Sequence, residues 1–197
     1  MVVLPKMALI GSRGCLASSI RCYYQDSYSI QVFGQEQYDI RDRNIVDQLS
    51  KQIVNSDVII NCAGLLGPDP WDELLVNAVA PIYLLTKLSE SHCRSRFIQI
   101  GSHSAMWASW PGVKIDRLCY NVSKQCMQSA ITGLSHSGKT NMLLTIINPS
   151  KFKSDMSNWD GYEVTAVIEY IDFVINSKNP PVLLEMEAIS ARLGNTT

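Results

Sequence analysis

The sequence predicts an α/β fold in one domain, residues 1–197, with a doubly wound parallel sheet between two layers of helices. Short apolar runs alternate with longer amphipathic stretches, and nearly continuous apolar strands are typical of a parallel sheet covered on both faces. The length is that of one domain, and no repeat or Pro/Gly-rich linker divides the chain. The predicted strands cover residues 7–11, 29–33, 57–61, 96–101, 141–147 and 182–186.

Two of the predicted helices have the clearest periodicity. Residues 71–93 and 118–135 carry apolar side chains three and four positions apart, the spacing of one helical face. Pro81 interrupts the first of these helices, because proline removes a backbone donor and crowds the preceding turn. We therefore expect a bend in this helix.

One connection between predicted strands is too short. Only about five residues separate the second strand from the segment Tyr38-Asp39-Ile40, a candidate third strand, whereas a parallel crossover needs about a dozen. The sequence thus predicts a shortened second-to-third strand connection. Either a bare loop reaches the third strand, or this edge of the sheet is irregular.

Composition excludes several classes of function. The net charge is -1 and 18% of residues are charged, so we expect neither nucleic acid nor an anionic membrane as a partner. The six cysteines form no C-x-x-C pair, which is typical of reduced thiols, and the three histidines are too dispersed for a metal site. Without a secretory leader or a bilayer-spanning apolar segment, the sequence predicts a cytoplasmic protein.

A glycine-containing turn follows the first predicted strand and opens a helical stretch. In Gly11-Ser12-Arg13-Gly14-Cys15-Leu16-Ala17, the glycines let the backbone approach a pyrophosphate, and the helix start offers free N–H groups. We interpret this turn as a dinucleotide phosphate loop. A tight turn without a ligand is the alternative.

The choice of cofactor depends on the end of the second strand, Phe33-Gly34-Gln35. It lacks the carboxylate that would accept the ribose 2'-hydroxyl of NAD, and Arg13 could pair with a 2'-phosphate. NADP is therefore favoured, while Glu36 leaves NAD open.

Tyr120 and Lys124 are four residues apart on a predicted helix, so both side chains emerge from one face. A cation near a phenol favours the phenolate, which lowers its pKa and makes proton transfer feasible near neutrality. Taken alone, such a pair is common on helix surfaces.

Further motifs occur in the order typical of the short-chain dehydrogenase/reductase (SDR) family, which the sequence resembles over nearly its whole length. Tyr120 and Lys124 match the family's Y-x-x-x-K motif, and Asn77 matches its helix asparagine. Ser102 stands where the family has its catalytic serine, with Ser104 as the second candidate. The resemblance implies an NAD(P)-binding Rossmann fold.

Other segments resemble the family's cofactor contacts. Asn61-Cys62-Ala63-Gly64 is similar to the N-N-A-G motif, residues 39–42 to the aspartate-bearing segment near the adenine, and residues 148–154 to P-G-x-V-x-T. Together, the glycine turn and the resemblance imply that the cofactor-binding residues are Gly11, Ser12, Arg13, Gly14, Leu16, Asp39, Asn61, Cys62, Ala63, Gly64, Tyr120, Lys124, Pro149 and Phe152.

The resemblance also implies roles for the catalytic residues. Ser102 would polarise a substrate carbonyl or hydroxyl, Tyr120 would exchange its proton, and Lys124 would tune Tyr120 and hold the nicotinamide ribose. Asn77 would position a water molecule that relays protons. We therefore expect an oxidoreductase acting on a small carbonyl or alcohol substrate, assembled as a homodimer or homotetramer.

Departures from the family affect substrate binding. The glycine loop has the spacing found in sugar-nucleotide-modifying members, yet the chain after Lys124 is too short for their substrate domain. Substrate recognition would then fall to residues 103–113 and 154–162. The tryptophans available to line a pocket there are Trp107, Trp110 and Trp159.

Two other functions remain open. A dinucleotide sensor or assembly module would keep the fold without catalysis. Residues 133–140 also fit the phosphate-loop pattern G-x-x-x-x-G-K-T of nucleotide triphosphatases. That loop must follow a strand and open a helix, whereas here a helix precedes it and a strand follows. We interpret it as a helix-ending turn with Gly133 or Gly138 as a left-handed cap.

Overall fold

The computed structural model describes residues 3–109, 111–153, 161 and 163–185, and its centre is a six-stranded parallel sheet. The order β2-β1-β3-β4-β5-β6 places β1 between strands that lead away in opposite directions. The predicted α/β doubly wound sheet is confirmed. Its strands are β1 Lys6–Ile10, β2 Ser29–Phe33, β3 Val58–Asn61, β4 Arg96–Ile100, β5 Leu143–Asn148 and β6 Leu183–Glu185.

Helices cover both faces of the sheet and make three layers. On one face, α2 (Arg43–Ile53), α4 (Ala80–Glu90) and α5 (Ile115–His136) bury their apolar residues against the strands. On the other face, α1 (Cys15–Tyr24) and α6 (Val164–Asn176) do the same. The strands are buried on both sides, which explains their nearly continuous apolar sequences.

The edge of the sheet beyond β2 is irregular. Tyr38-Asp39-Ile40 forms no strand, because the chain turns at Gly34, whose carbonyl accepts the backbone N–H of Tyr38 at 2.8 Å. Asp42 then caps α2 by accepting the N–H of Asn44. The candidate third strand is thus wrong, and α2 makes the crossover from β2 to β3.

Before Pro81, where a bend is predicted, the structure has a π-helical segment. The predicted helix 71–93 is divided into α3 (Pro70–Leu74), a π-helix (Leu75–Val79) and α4. Pro81 has no N–H to donate to the carbonyl four residues earlier, so the preceding turn widens. The N–H of Ala80 accordingly donates to the carbonyl of Leu75, five residues back.

The triphosphatase-like motif joins a helix to a strand. Residues 133–136 are the last of α5, Gly138 has a left-handed φ of +65°, and β5 begins at Leu143. The motif does not open a helix, so no helix amino terminus faces a phosphate there. This geometry favours the interpretation as a helix-ending turn.

Among the residues that the structure describes, no helix is both long and apolar enough to span a bilayer.

Gly133 and Gly138, in the turn between α5 and β5, give a test of the local backbone geometry. Gly133→Ala should stabilise the protein by about 0.5–1 kcal/mol, because the site is helical, has open space around it, and alanine loses less backbone entropy. Gly138→Ala should destabilise it by about 1–2 kcal/mol, because its φ is left-handed. Urea unfolding measures both changes, and equal effects would contradict the assigned conformations.

Candidate active site

The carboxyl ends of the strands border a cleft of about 850 Å³. This volume is within the range of about 300–1,000 Å³ of small-molecule and cofactor sites. The loops after β1, β3, β4 and β5 line the cleft together with α5. It lies where β1 separates strands leading in opposite directions, the place where open α/β sheets bind ligands.

The glycine loop forms the base of one end of the cleft. Gly11 has a φ of +89°, and a Cβ there would lie 2.5 Å from the backbone nitrogen of Ala63, so only glycine fits between the loops after β1 and β3. Gly14 precedes α1, has open space where a Cβ would lie, and makes no side-chain cap. The first turn of α1 lines the cleft and carries no acidic residue. These features fit a pyrophosphate at this helix end.

Charged residues at the outer end of the cleft form ion pairs. Arg13, predicted to meet a 2'-phosphate, is paired with Glu36, and both side chains are exposed. Arg41 bridges Asp39, in the cleft wall, and Asp72 of α3. Hydrogen bonds from Arg41 hold the pKa of the Asp39 carboxyl below its usual range. The pairs Arg13–Glu36 and Arg41–Asp72 join residues that are far apart in the chain, so they could not be predicted from local sequence.

The loop after β3 presents Cys62, Ala63 and Gly64 to the cleft, but Asn61 lies beneath it. The Asn61 side chain donates to Gln99 at 2.9 Å and accepts the N–H of Ala63 at 3.1 Å. Asn61 therefore fixes the conformation of this loop by hydrogen bonding to its backbone. It is not among the described residues that line the cleft.

Asn77 lies in the buried π-helical segment and acts on the same loop. Its amide oxygen accepts the N–H of Leu65 at 2.9 Å, and its amide nitrogen donates to the carbonyl of Leu65 at 2.7 Å. These two bonds fix the path of the chain after Gly64. The Asn77 side chain thus fixes a loop of the cleft and is not among the residues that line it. The family resemblance implies a different role for Asn77, the positioning of a water molecule.

Tyr120 and Lys124 both point inward into the cleft wall and are 8% and 3% exposed. The Lys124 ammonium nitrogen is 5.7 Å from the centroid of the Tyr120 ring. A Cβ at Gly64 would lie 3.2 Å from that nitrogen, so glycine leaves the space that the ammonium group needs. Tyr120 and Lys124 are therefore a buried pair that faces the cleft, and not a pair on the helix surface.

Ser102, which follows β4, is oriented by two hydrogen bonds. Its Oγ accepts the N–H of Ser104 at 3.2 Å, and its own backbone N–H donates to Asn148 Oδ1 at 3.0 Å. The Ser102 hydroxyl also lies near the phenol of Tyr120 and lowers its pKa. The serine and tyrosine predicted from the sequence thus lie near each other in the cleft wall.

Asn148 is a site residue that the sequence analysis did not assign. It is fully buried, and its amide nitrogen donates to Gln128 and Glu185, both at 2.8 Å. A Cβ at Gly101 would lie 1.9 Å from Asn148 Oδ1, so Gly101 is needed for this contact. The signal available in the sequence was a single asparagine at the end of an apolar strand.

Burial dominates the titration of the two central groups. It lowers the pKa of Lys124 to about 8, and the Cys62 thiol partly opposes this shift. Burial raises the pKa of Tyr120, while the hydrogen bond with Ser102 and then the charge of Arg117 partly offset it. The predicted lowering of the phenol pKa by Lys124 is therefore wrong, because desolvation outweighs the nearby charges.

Cys62 is close to this pair and is not activated. Burial raises the pKa of its thiol to about 12, and the opposing charge of Lys124 only reduces the shift. A thiol with this pKa is protonated at neutral pH and is a poor nucleophile. Cys62 thus serves as a small side chain in the cleft wall.

The segment after β5 lies beside the same cleft. Pro149, Ser150 and Phe152 line it, and the Ser150 hydroxyl is shielded without a hydrogen-bond partner among the described residues. A buried polar atom without a partner costs free energy unless a ligand or water satisfies it. This hydroxyl fits a polar group bound in the cleft.

The predicted substrate segments are only partly described. His103 and Ser104 line the cleft, and Trp107 is half exposed with its indole nitrogen 3.4 Å from His103 Nδ1. Trp107 is not among the cleft-lining residues. Trp110, Trp159 and most of residues 154–162 lie outside the described residues.

Comparisons with solved structures identify the fold. A short-chain dehydrogenase from Burkholderia cenocepacia J2315 in complex with NADP has a TM-score of 0.77 and 13% identity, covering 95% of this chain and 90% of that one. The protein lin1944 from Listeria innocua has a TM-score of 0.75 and 12% identity, covering 93% and 100%. The dTDP-4-dehydrorhamnose reductase from Bacillus anthracis str. Ames in complex with NADP has a TM-score of 0.71 and 13% identity, covering 95% of this chain and 76% of that one.

No protein-family model and no curated protein sequence matches the chain. The structural likeness nevertheless extends over nearly the whole chain. The chain has the Rossmann fold of the short-chain dehydrogenases/reductases.

The burial of Lys124 predicts a pH-dependent effect on stability. Because its pKa is about 8 in the folded protein and 10.5 unperturbed, the unfolded chain binds more protons between these values. The cost of burying the ammonium is therefore full below pH 8 and disappears as the pH rises toward 10.5. Lys124→Met should raise the free energy of unfolding at pH 7 by about 1–3 kcal/mol, and the gain should shrink by pH 10.

Urea unfolding at pH 7 and pH 10 measures this difference. Lys114→Met is the matched control, because Lys114 is exposed just before α5. Its effect should stay below about 0.5 kcal/mol at both pH values. A Lys124→Met protein less stable than wild type at pH 7 would contradict the assigned desolvation.

Proposed function

We propose that the protein is an NAD(P)-dependent oxidoreductase that interconverts a carbonyl and an alcohol on a small substrate. The observation that carries this proposal is the placement of Ser102, Tyr120 and Lys124 in one cleft wall, with the glycine loop bordering the same cleft. When bound, the nicotinamide dinucleotide supplies or accepts a hydride, chemistry that no side chain provides.

The chain's own groups would bind the dinucleotide along the cleft. The N–H groups at the start of α1 and the close backbone at Gly11 would hold the pyrophosphate. Asp39 lies toward the outer end, and Pro149 and Phe152 line the end near Ser102. The cleft volume supports a bound polar ligand, as does the Ser150 hydroxyl, which has no hydrogen-bond partner in the part of the chain that the structure describes.

Tyr120 would act as the general acid in carbonyl reduction. Its raised pKa keeps the phenol protonated across the neutral range, so a proton is available for the substrate oxygen. The Oγ of Ser102 already accepts the N–H of Ser104, which leaves its own proton to donate to the substrate oxygen or to Tyr120. In alcohol oxidation the same groups would act in reverse.

Lys124 would supply positive charge next to the phenol. Below pH 8 its ammonium is protonated, and it would stabilise the phenolate that forms when Tyr120 gives up its proton. The same group has hydrogen-bond donors for the ribose hydroxyls of a cofactor. Asn77 would contribute by fixing the loop against which Lys124 packs.

NADP is the favoured cofactor. Arg13 is the cation of the glycine loop, and a 2'-phosphate would replace the Glu36 carboxylate as its partner. Because both side chains are exposed, this ion pair is weak and the exchange costs little. The NADP held by two proteins of the same fold agrees with this choice.

Removing the phenol hydroxyl tests the catalytic assignment. Tyr120→Phe should reduce kcat/KM by about 10²–10⁴-fold in both directions, because the proton donor is lost. The Kd for NADPH, measured by its fluorescence, should change less than about twofold. Tyr23→Phe is the control, because Tyr23 is exposed on α1 and away from the cleft lining.

The wild-type protein separates the enzyme from the sensor hypothesis. Tight NADPH binding without consumption across a broad panel of carbonyl compounds would favour a non-catalytic dinucleotide sensor. Equal activity of wild type and Tyr120→Phe would refute the role of the phenol.

A single carboxylate substitution tests the cofactor choice. Glu36→Gln should increase the affinity for NADPH about three- to tenfold relative to NADH, because it frees Arg13 and removes a charge that repels the 2'-phosphate. Glu90→Gln, which removes an exposed carboxylate paired with Lys87, is the control and should change neither affinity. A gain in NADH affinity instead would show that Glu36 does not oppose the 2'-phosphate.

A further inference from the structure

Arg117 is a cleft residue with no role so far in the proposed reaction. It lies in the first turn of α5, three residues before Tyr120, so the two side chains share a helix face about 5–6 Å apart at Cβ. Arg117 lines the cleft, and its charge acts on the phenol of Tyr120. A guanidinium group is thus positioned beside the proposed proton donor.

Arg117 differs from the two other arginines that line the cleft among the described residues. Arg13 is paired with Glu36, and Arg41 is paired with two carboxylates. Arg117 forms no ion pair with any described carboxylate, and its backbone N–H makes a local bond to the carbonyl of Lys114. Its guanidinium group, with five N–H donors, therefore borders the cleft without a carboxylate partner among the described residues.

The acidic residues of the segment 69–73, which packs against α5, have hydrogen-bond or ion-pair partners other than Arg117. Asp69 accepts the backbone N–H of Trp71, and Asp72 is paired with Arg41. Glu73 is buried and accepts the N–H of Gly67 at 2.9 Å. None of the three carboxylates forms an ion pair with Arg117, so its guanidinium can pair with an anionic ligand.

The cleft around Tyr120 also has an apolar wall. Leu65, Leu66 and Val76 line it, on the loop after β3 and on the π-helical segment. The π-helical segment and α3 pack directly against α5, which brings this wall next to the start of α5. An apolar surface with one free guanidinium suits a ligand that has an apolar part and an anionic group.

We propose that Arg117 binds an anionic group of the substrate, so that the substrate class is a ketone, aldehyde or alcohol bearing a carboxylate or phosphate and an apolar segment. This inference rests on the proposed oxidoreductase function and adds the substrate class. Guanidinium recognises carboxylate and phosphate through the same paired N–H donors, so the geometry favours the anion and leaves its source to experiment.

The anion would sit away from the reacting carbon. In reduction, the C=O π bond breaks, a new C–H bond forms with hydride from NAD(P)H, and a new O–H bond forms with the proton of Tyr120. NAD(P)H is oxidised to NAD(P)+, and the phenolate of Tyr120 recovers a proton from solvent. The anionic group takes no part in these bonds, and Arg117 acts by orienting the substrate.

Bound anion would also change the charge felt by Tyr120. The free guanidinium favours the phenolate form, and a carboxylate or phosphate paired with it would cancel that influence. Binding of an anionic substrate would thus remove an influence that lowers the pKa of Tyr120. A neutral substrate would leave the charge uncancelled.

Matched substrate pairs test the proposal on the whole protein with NADPH. Straight-chain keto acids of about four to ten carbons are each compared with the corresponding primary amide, and dihydroxyacetone phosphate is compared with dihydroxyacetone. Wild type should prefer the anionic member of at least one pair by about tenfold or more in kcat/KM. The two sets of pairs distinguish carboxylate from phosphate as the anion.

Variants identify the residue responsible. Arg117→Ala should lower kcat/KM for the preferred anion by about tenfold or more, mainly through KM, and change the neutral partner less than about twofold. Arg117→Lys should recover part of the preference, because it keeps the charge without the planar fork. Lys114→Ala removes an exposed positive charge one turn earlier, outside the cleft lining, and should leave the preference unchanged.

Two results would overturn the proposal. One is a wild type that turns over neutral carbonyl compounds as well as their anionic partners. The other is a preference that survives Arg117→Ala, or an equal loss for both members of a pair, which would indicate an effect on Tyr120 or on folding. Circular dichroism and the NADPH Kd of each variant show whether the fold and the cofactor site are intact.

A binding measurement separates this inference from the proposed function. If no carbonyl compound is turned over, the oxidoreductase proposal fails, and calorimetric titration with hexanoate and hexanamide still tests the anion site. Hexanoate binding that exceeds hexanamide binding, and that Arg117→Ala abolishes, would support the site. Equal binding of both compounds would refute it.

Discussion

The arrangement of the cleft depends on burying one ammonium group. Lys124 lies between the ring of Tyr120 and the backbone of Gly64, and a side chain at Gly64 would press on its nitrogen. Desolvation makes this position costly, as the lowered pKa of Lys124 indicates. The protein therefore gives up stability to keep a positive charge beside a buried phenol. Such a cost is typical of residues kept for function, because an apolar side chain of similar size would pack more favourably.

Three buried asparagines hold the loops that surround this charge. Asn61 and Asn77 bind the backbone of the loop after β3, and Asn148 binds the backbone N–H of Ser102 after β4. Asparagine suits this work because one side chain offers both a donor and an acceptor. The loops are thus fixed at the carboxyl ends of the strands, and Ser102 is held near Tyr120. Rigid positioning of this kind is what proton transfer in a cleft requires.

The sequence predicted the strands closely, because runs of apolar residues follow directly from burial on both faces of a parallel sheet. It left open whether Tyr38 belongs to a third strand, because a three-residue segment has too little pattern to distinguish a strand from a turn. The irregularity at Pro81 could be predicted, since proline lacks an N–H, but its π-helical form could not. The ion pair of Arg13 with Glu36 joins residues that are distant in the chain, and Arg117 lines a cleft formed by distant segments. Neither feature could be predicted from a local sequence pattern.

The sequence by itself determined the order of the strands, the glycine turn and the four-residue spacing of Tyr120 and Lys124, because these depend on local periodicity and chain geometry. Only the tertiary structure decided the direction of the Tyr120 pKa shift, since the balance of burial and charge depends on everything packed around the phenol. The same holds for Asn77, which the fold uses to brace a loop. Sequence spacing determines which side chains share a helix face. Tertiary packing determines whether that face is buried or exposed to solvent, and which residues it contacts.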